Sequence, residues 1–317
     1  MDGWQVIADE HGLFHARDAR AAGLVGRDLA RLTRTEQVVR LCRGWYTLPP
    51  GQLPADQDSP AERRRQLHGL VTSAMIREFA GRAVASHHSA LVLASLPIFA
   101  ADLRQVHVTR ARDDLSRKRR GLSIHEQVGG AKSEAGVIEP AVAIVQTGVL
   151  NGPLAGLVAA DAALHRQIIT PADLARAMTL VDGPGVGQAR RILVHVDARS
   201  ESPGETRVRH ALAMMGLTSS PQFTVRDGDF VAMVDLLLDV APVVVEFDGF
   251  VKYGRTFIRP GESAPGDIVF AEKVREDRLR TLGYEVVRII WSELDDLPAL
   301  RRRIEAAIQR ARGRRAA

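Results

Sequence analysis

Over residues 1–48, apolar side chains recur at helical spacing and then alternate. Trp4, Ile7, Ala8 and His11 share one helical face; a short helix is predicted over His15–Ala22, and a third over Arg27–Val39 with Leu29, Leu32 and Val39 turned inward. The residues Gly23-Leu24-Val25-Gly26 form a turn between the last two, and the alternation of Leu41–Leu48 about Gly44 predicts a hairpin or wing. Three short helices with a tight turn before the third, then a wing, are the layout of a winged helix-turn-helix.

A polar, Pro-containing stretch, Pro49–Pro60, reads as a linker. Beyond it the pattern predicts a helix over Ala61–Phe79, a segment Ala83–Pro97, a strand Gln105–Thr109, an Arg-rich loop Arg110–Gly121 and a strand Leu122–His125. The longest uncharged stretch, Ala141–Ala160, is broken at Asn151-Gly152-Pro153 and reads as loop and buried helix; a membrane span wants about 20 mostly apolar residues. Helices follow over Leu154–His165, Pro171–Val181 and Gln188–Ala198, the second marked by Thr170 as N-cap, Pro171 in the first turn and Asp173 three residues after the cap. The run Gly183-Pro184-Gly185-Val186-Gly187 has neither a preceding strand nor a following Lys-Ser/Thr, so it is a turn rather than a phosphate loop.

The third stretch opens with a helix from Ser202 to about Met215, closed by Gly216. Three extended segments follow, Gln222–Arg226, Phe230–Leu238 and Val243–Phe247, then a loop Gly249–Asp267, a helix Ala271–Leu282, a strand Glu285–Ile290 and a last helix Leu297–Arg312. The whole is an α+β multidomain chain: residues 1–50 a winged helix-turn-helix, 51–200 a mixed α/β middle domain, and 201–317 a sheet flanked by helices.

Asp235 interrupts an otherwise apolar strand, which costs free energy unless something compensates it. Glu246 and Asp248 share one face of the next strand, with Phe247 on the other. If the two strands pair through the Asp239–Pro242 turn, Asp235 lies near Glu246. A hard divalent cation, Mg²⁺ or Mn²⁺, relieves the mutual repulsion of Asp235, Glu246 and Asp248 and can activate water against a phosphodiester. The other reading pairs these carboxylates with nearby arginines.

The charge balance, 43 Lys+Arg against 38 Asp+Glu, is mildly positive and compatible with nucleic acid as partner. A single cysteine, Cys42, allows no disulfide framework or multi-cysteine zinc site and fits a reducing cytoplasm. No basic stretch followed by an apolar one opens the sequence, so neither a secretory leader nor a membrane partner is expected.

Several segments carry resemblances. Ser202-Pro203-Gly204-Glu205-Thr206, Val234-Asp235-Leu236, Val245-Glu246-Phe247-Asp248-Gly249, Glu272-Lys273-Val274-Arg275-Glu276-Asp277-Arg278-Leu279 and Leu282-Gly283-Tyr284-Glu285-Val286-Val287-Arg288 together resemble an uncharacterised domain related to the very-short-patch-repair endonucleases of the PD-(D/E)XK superfamily. The resemblance covers about Ser202–Leu297. It implies a restriction-endonuclease-like α/β/α core, with Asp235 and Glu246 as metal ligands and Glu205 as the helix-borne carboxylate. Asp248 stands where the superfamily pattern has a lysine; Lys252 and Lys273 are the lysines that could move into that role. Glu205 also occupies the capping-box position after Ser202. Gly44-Trp45-Tyr46, Ser86-His87-His88-Ser89-Ala90, His107-Val108-Thr109 and His125 resemble the abortive-infection antitoxins of type IV toxin–antitoxin systems, which implies DNA binding and a toxin partner or a homodimer.

The remaining candidates are read from the residues. Arg27, Arg31, Arg34 and Arg40, with Arg43 on the wing, could meet phosphates or guanine edges, while Asp28 and Glu36 dilute their charge. The adjacent His87 and His88 point about 100° apart on a helix and make poor co-ligands; a cap or a buried hydrogen bond is the expected role. Arg117-Lys118-Arg119-Arg120 reads as an exposed basic loop, and Cys42 as packing. Three functions follow: a DNA-binding, Mg²⁺-dependent endonuclease; a transcriptional regulator or antitoxin whose nuclease-like domain is inactive; or a chain whose C-terminal domain is an oligomerisation module with a dead site.

Overall fold

A computed structural model describes residues 7–49, 59–112, 116–249 and 265–316. The chain divides into two compact units: residues 1–159 with 169–194, and residues 160–168 with 195–317.

The first unit opens with the winged motif. Strand β1 (Leu13–His15), helices α1 (Ala16–Ala21) and α2 (Gly26–Arg34), and strands β2 (Val39–Cys42) and β3 (Trp45–Thr47) follow in order, and the sheet runs β1-β3-β2. The expected helix through His11 is absent over Ile7–Gly12. There the Asp9 carboxylate accepts from the N–H groups of His11 (2.9 Å) and Leu13 (2.7 Å), capturing amides that a helix would need. The third predicted helix also ends early, because Glu36 turns left-handed (φ 55°) and Val39 enters the sheet. His15 caps α1 through Nδ1, which accepts from Arg17 N. Phe14, Ala19, Leu29, Leu32 and Val38 make a small core of their own.

Helix α3 (Pro60–Phe79) follows, capped by Ser59 with Pro60 in its first turn. Trp45 of the wing hydrogen-bonds Glu78 of this helix, and Arg77 pairs with Asp9. A six-stranded mixed sheet then forms from β4 (Ala83–Ala85), β5 (Val106–Arg110), β6 (Arg117–Arg119), β7 (Leu122–His125), β8 (Ser133–Glu134) and β9 (Val137–Ile138). Its order is β6-β7-β5-β4-β9-β8. The segment Ala83–Pro97 is thus a strand followed by α4 (His87–Leu93). The Arg-rich segment is not all loop, since Arg117–Arg119 pairs antiparallel with β7. Helices α5 (Pro140–Leu150), α6 (Pro153–His165), α7 (Pro171–Leu180) and α8 (Val186–Leu193) complete the series. The apolar stretch 141–160 is therefore a buried helix, a break at Asn151–Gly152 and most of a second helix. The capping box at Thr170 and Asp173 forms as its spacing predicts; Gly183–Gly185 is a turn, whereas Val186 and Gly187 already belong to α8.

In the second unit α9 (Pro203–Met214) precedes β10 (Ser219–Asp227), β11 (Phe230–Leu238) and β12 (Val243–Phe247); α10 (Pro265–Thr281), β13 (Glu285–Ile289), a 3-10 turn (Trp291–Asp295) and α11 (Leu297–Ala316) follow. The strands order as β10-β11-β12-β13, antiparallel except for the parallel β12–β13 pair. One face packs Leu236, Leu238, Val243, Val245, Val287 and Ile289 against α9 and α11; the other packs Val234 and Val244 against Leu279 of α10. Among the described residues no helix is long and apolar enough to cross a membrane.

Candidate functional site

The winged motif presents a cationic edge. At 100° per residue, Arg27, Arg31 and Arg34 of α2 fall within about 60° of one another. All three are exposed, while Leu29 and Leu32 on the opposite side are buried. Arg43 stands at the tip of the β2–β3 hairpin, also exposed. Among the described residues none of these four guanidinium groups makes an ion pair, so each is available to an external anion. The hairpin tip is fixed by Gly44: its φ is 80°, and a Cβ there would lie 2.6 Å from His15 Nε2.

A second arrangement lies in the C-terminal sheet. The β11–β12 register pairs Leu236 with Val245, which brings Asp235 beside Glu246. Asp235 accepts from Phe247 N at 2.8 Å. Burial is the main force raising its carboxyl, to about 6, and Glu205 and Glu246 add to it. Glu205 is buried at the start of α9, bonded to Ser202 Oγ (2.7 Å), Glu201 N (3.0 Å) and Gln222 Nε2 (3.0 Å). It therefore serves the helix cap and still lies close enough to act on Asp235.

Glu246 is ion-paired with Arg275 at 2.6 Å and with Arg288 at 3.6 Å, and both arginines also hold Glu272. Asp248 lies just past β12, its N–H bonded to Ile289 O at 2.8 Å. Lys273 is exposed, whereas Glu272, Arg275 and Glu276 occupy the face of α10 that reaches the cluster. Arg275 thus holds the cationic place into which Lys273 could have moved. Lys252 lies outside the described residues. The β12 strand alone gave no sign of Arg275 or Arg288, because they join Glu246 only once α10 and β13 pack beside it.

One comparison bears on this chain. A family model described as a transcriptional regulator, AbiEi antitoxin, matches residues 5–49. The match covers the winged motif, including all four arginines, and it supports a DNA-binding regulator there. It does not reach the C-terminal unit. No curated protein matches the chain.

The structure also gathers five histidines that the sequence left scattered. His87 starts α4, His107 lies on β5 and His125 ends β7, with Thr109 of β5 in register with His125. His107 Nδ1 is 2.8 Å from His125 Nε2, and the His87 and His125 rings stack at 4.0 Å. His68 and His88 lie behind them, His88 4.7 Å from His107 between ring centres. Burial, reinforced by the neighbouring imidazoles, lowers His107 to about 3 and His125 to about 4, and holds His87 well below its ordinary value. All are neutral at physiological pH. The ring neighbours of His87 are not the adjacent His88 but His107 of β5 and His125 of β7.

Proposed function

We propose that the chain is a DNA-binding transcriptional regulator of the antitoxin kind, with α2 as its recognition helix and the β2–β3 hairpin as its wing. The observation that carries this reading is the stripe of exposed arginines at positions 27, 31 and 34, without ion pairs among the described residues, continued by Arg43 on the wing. The family match over the same residues supports it. A helix in the major groove can direct such side chains to guanine edges, and a wing arginine can meet the backbone. The antitoxin reading carries with it a toxin partner or a second copy of the chain. The test is binding of full-length protein to DNA from its own promoter, followed by fluorescence anisotropy. Arg31→Ala is expected to weaken specific binding by roughly 1–3 kcal/mol. Unchanged affinity in an Arg27→Ala/Arg31→Ala double variant would count against α2 as the reader.

A second reading is a Mg²⁺- or Mn²⁺-dependent endonuclease centred on Asp235 and Glu246. It is favoured by the convergence of Glu205, Asp235 and Glu246 and by the raised Asp235 carboxyl. It requires Arg275 to release Glu246, because that guanidinium already supplies the positive charge a metal would bring. Incubation of plasmid with Mn²⁺ separates the readings. Nicking lost in Asp235→Ala and Glu246→Ala would favour the nuclease; equal nicking by all three proteins would sink it.

A further inference from the structure

We infer that the middle domain binds one divalent transition-metal ion, of the zinc class, through His87, His107 and His125. The ligand nitrogens of these three side chains all lie within 4.8 Å of one another. Among the described residues this is the one group of histidine, cysteine or carboxylate side chains that close. Zinc is commonly held by three imidazoles with a fourth position left to water.

Hydrogen bonding separates the five histidines into two classes. His68 uses Nδ1 on Leu103 O and Nε2 on Ser89 Oγ, both at 2.9 Å. His88 uses Nδ1 on Asn151 Oδ1 (3.2 Å) and Nε2 on Gln105 O (3.3 Å). His68 has no nitrogen left for a metal, and both nitrogens of His88 are turned to carbonyl oxygens, one of which takes its single N–H. His87 spends only Nδ1, on Ser86 Oγ at 3.0 Å, which leaves Nε2. His107 Nδ1 and His125 Nε2 spend themselves on each other and share one proton. When the donor ring carries its proton on its far nitrogen instead, both facing nitrogens offer lone pairs and an ion gains two ligands at once. Two nitrogens on a tetrahedral zinc sit about 3.3 Å apart, so the 2.8 Å contact has to open by only about half an ångström.

The surroundings are those of a metal site rather than of an ordinary core. A ligating imidazole usually has its other nitrogen fixed by an outer partner, and Ser86 does this for His87. Ser89 Oγ accepts from the His107 backbone N–H at 2.9 Å, which ties the His107 strand to the His68 layer. His87 itself sits at φ 51°, a left-handed conformation uncommon for a residue with a side chain, and Gln146 Oε1 accepts its N–H. Such strain persists where surrounding structure fixes it, and it collects at functional sites. His125 is partly exposed, which leaves an approach for the ion.

The experiment uses full-length, untagged protein stripped with chelator and then loaded with Zn²⁺ or Co²⁺. Metal content is read by elemental analysis, and Co²⁺ ligation by visible absorption. Wild type is expected to hold one ion per chain with a tetrahedral, nitrogen-rich Co²⁺ spectrum. His87→Gln, His107→Gln and His125→Gln should lose it; His68→Gln, His88→Gln and Asp235→Asn should keep it. Ser86→Ala should weaken binding about 10- to 100-fold. His125→Gln, at the most exposed of the three positions, is the variant safest for folding, checked by circular dichroism without metal. No uptake by wild type, or equal uptake by folded His125→Gln, would overturn the assignment. So would loss in His88→Gln equal to that in His107→Gln.

Discussion

Asp235 holds its proton more tightly in the folded protein than an ordinary aspartate, at about 6 against 3.8. A raised folded value means that its contribution to stability is present at low pH and is lost as pH rises through about 6. Asp235→Asn keeps an acceptor for Phe247 N and removes the charge. The variant should match wild type near pH 4 and exceed it above pH 7 by on the order of 1–2 kcal/mol, after allowance for partial exposure. Urea denaturation at the two pH values measures this; a gap that stays constant or reverses would show that another group dominates. At the hairpin tip, Gly44→Ala combines a left-handed backbone with a clash against His15. It should cost about 1–3 kcal/mol and weaken DNA binding by displacing Arg43. Asp235 was legible in the sequence because a carboxylate inside a run of Val, Met and Leu demands a reason. Arg275 was not, since its role depends on which face of α10 lies against β12, and the residues of α10 alone do not say.

At the scale of elements, the winged motif was legible because periodicity, the Gly23–Gly26 turn and the alternation about Gly44 agreed. Its first helix was misread because Asp9 offers local hydrogen bonds that spacing alone does not reveal. Strand β6 was hidden by its composition: three exposed basic residues read as loop, yet charge is what an edge strand carries to discourage further pairing. The histidine layer was hidden by topology, since β4, β5 and β7 become neighbours only when the strand order is known. Helices α5 and α6 approach closely at two glycines. A Cβ on Gly156 would lie 2.9 Å from Gly148 Cα, against backbone that cannot swing aside. Gly156→Val should therefore push the helices apart and cost about 1–3 kcal/mol, read as a lower thermal midpoint. An unchanged midpoint would mean that the pair tolerates a wider spacing.

For the whole molecule, the formal charge of +5 is small, so DNA affinity has to come from local clustering rather than from net charge. Each arginine on a phosphate adds about one unit to the dependence of log affinity on log salt. Arg43→Ala should lower that slope by about one while leaving sequence preference intact; a titration at several salt concentrations reads both. An unchanged slope would place Arg43 away from the backbone. The three-part division read from the sequence follows linkers and composition, whereas the packing groups residues 160–168 with 195–317. The cause is Asp161, fully buried in an alanine-rich turn of α6. Its carboxylate holds Arg209 (2.6 Å), Thr206 Oγ1 (2.8 Å) and Asp197 N (2.8 Å).

That single carboxylate sets where the gene can be cut. A fragment beginning at residue 201, the boundary that sequence reading favours, would leave Arg209 and Thr206 facing a hole where their anion had been. Stranding one partner of a buried ion pair costs about 3–5 kcal/mol, enough to turn a marginally stable fragment into an insoluble one. A cut that keeps Asp161 with its partners has to fall before residue 160 and then parts residues 169–194 from the unit they pack in, so the uncut chain is the form that should express as a folded species.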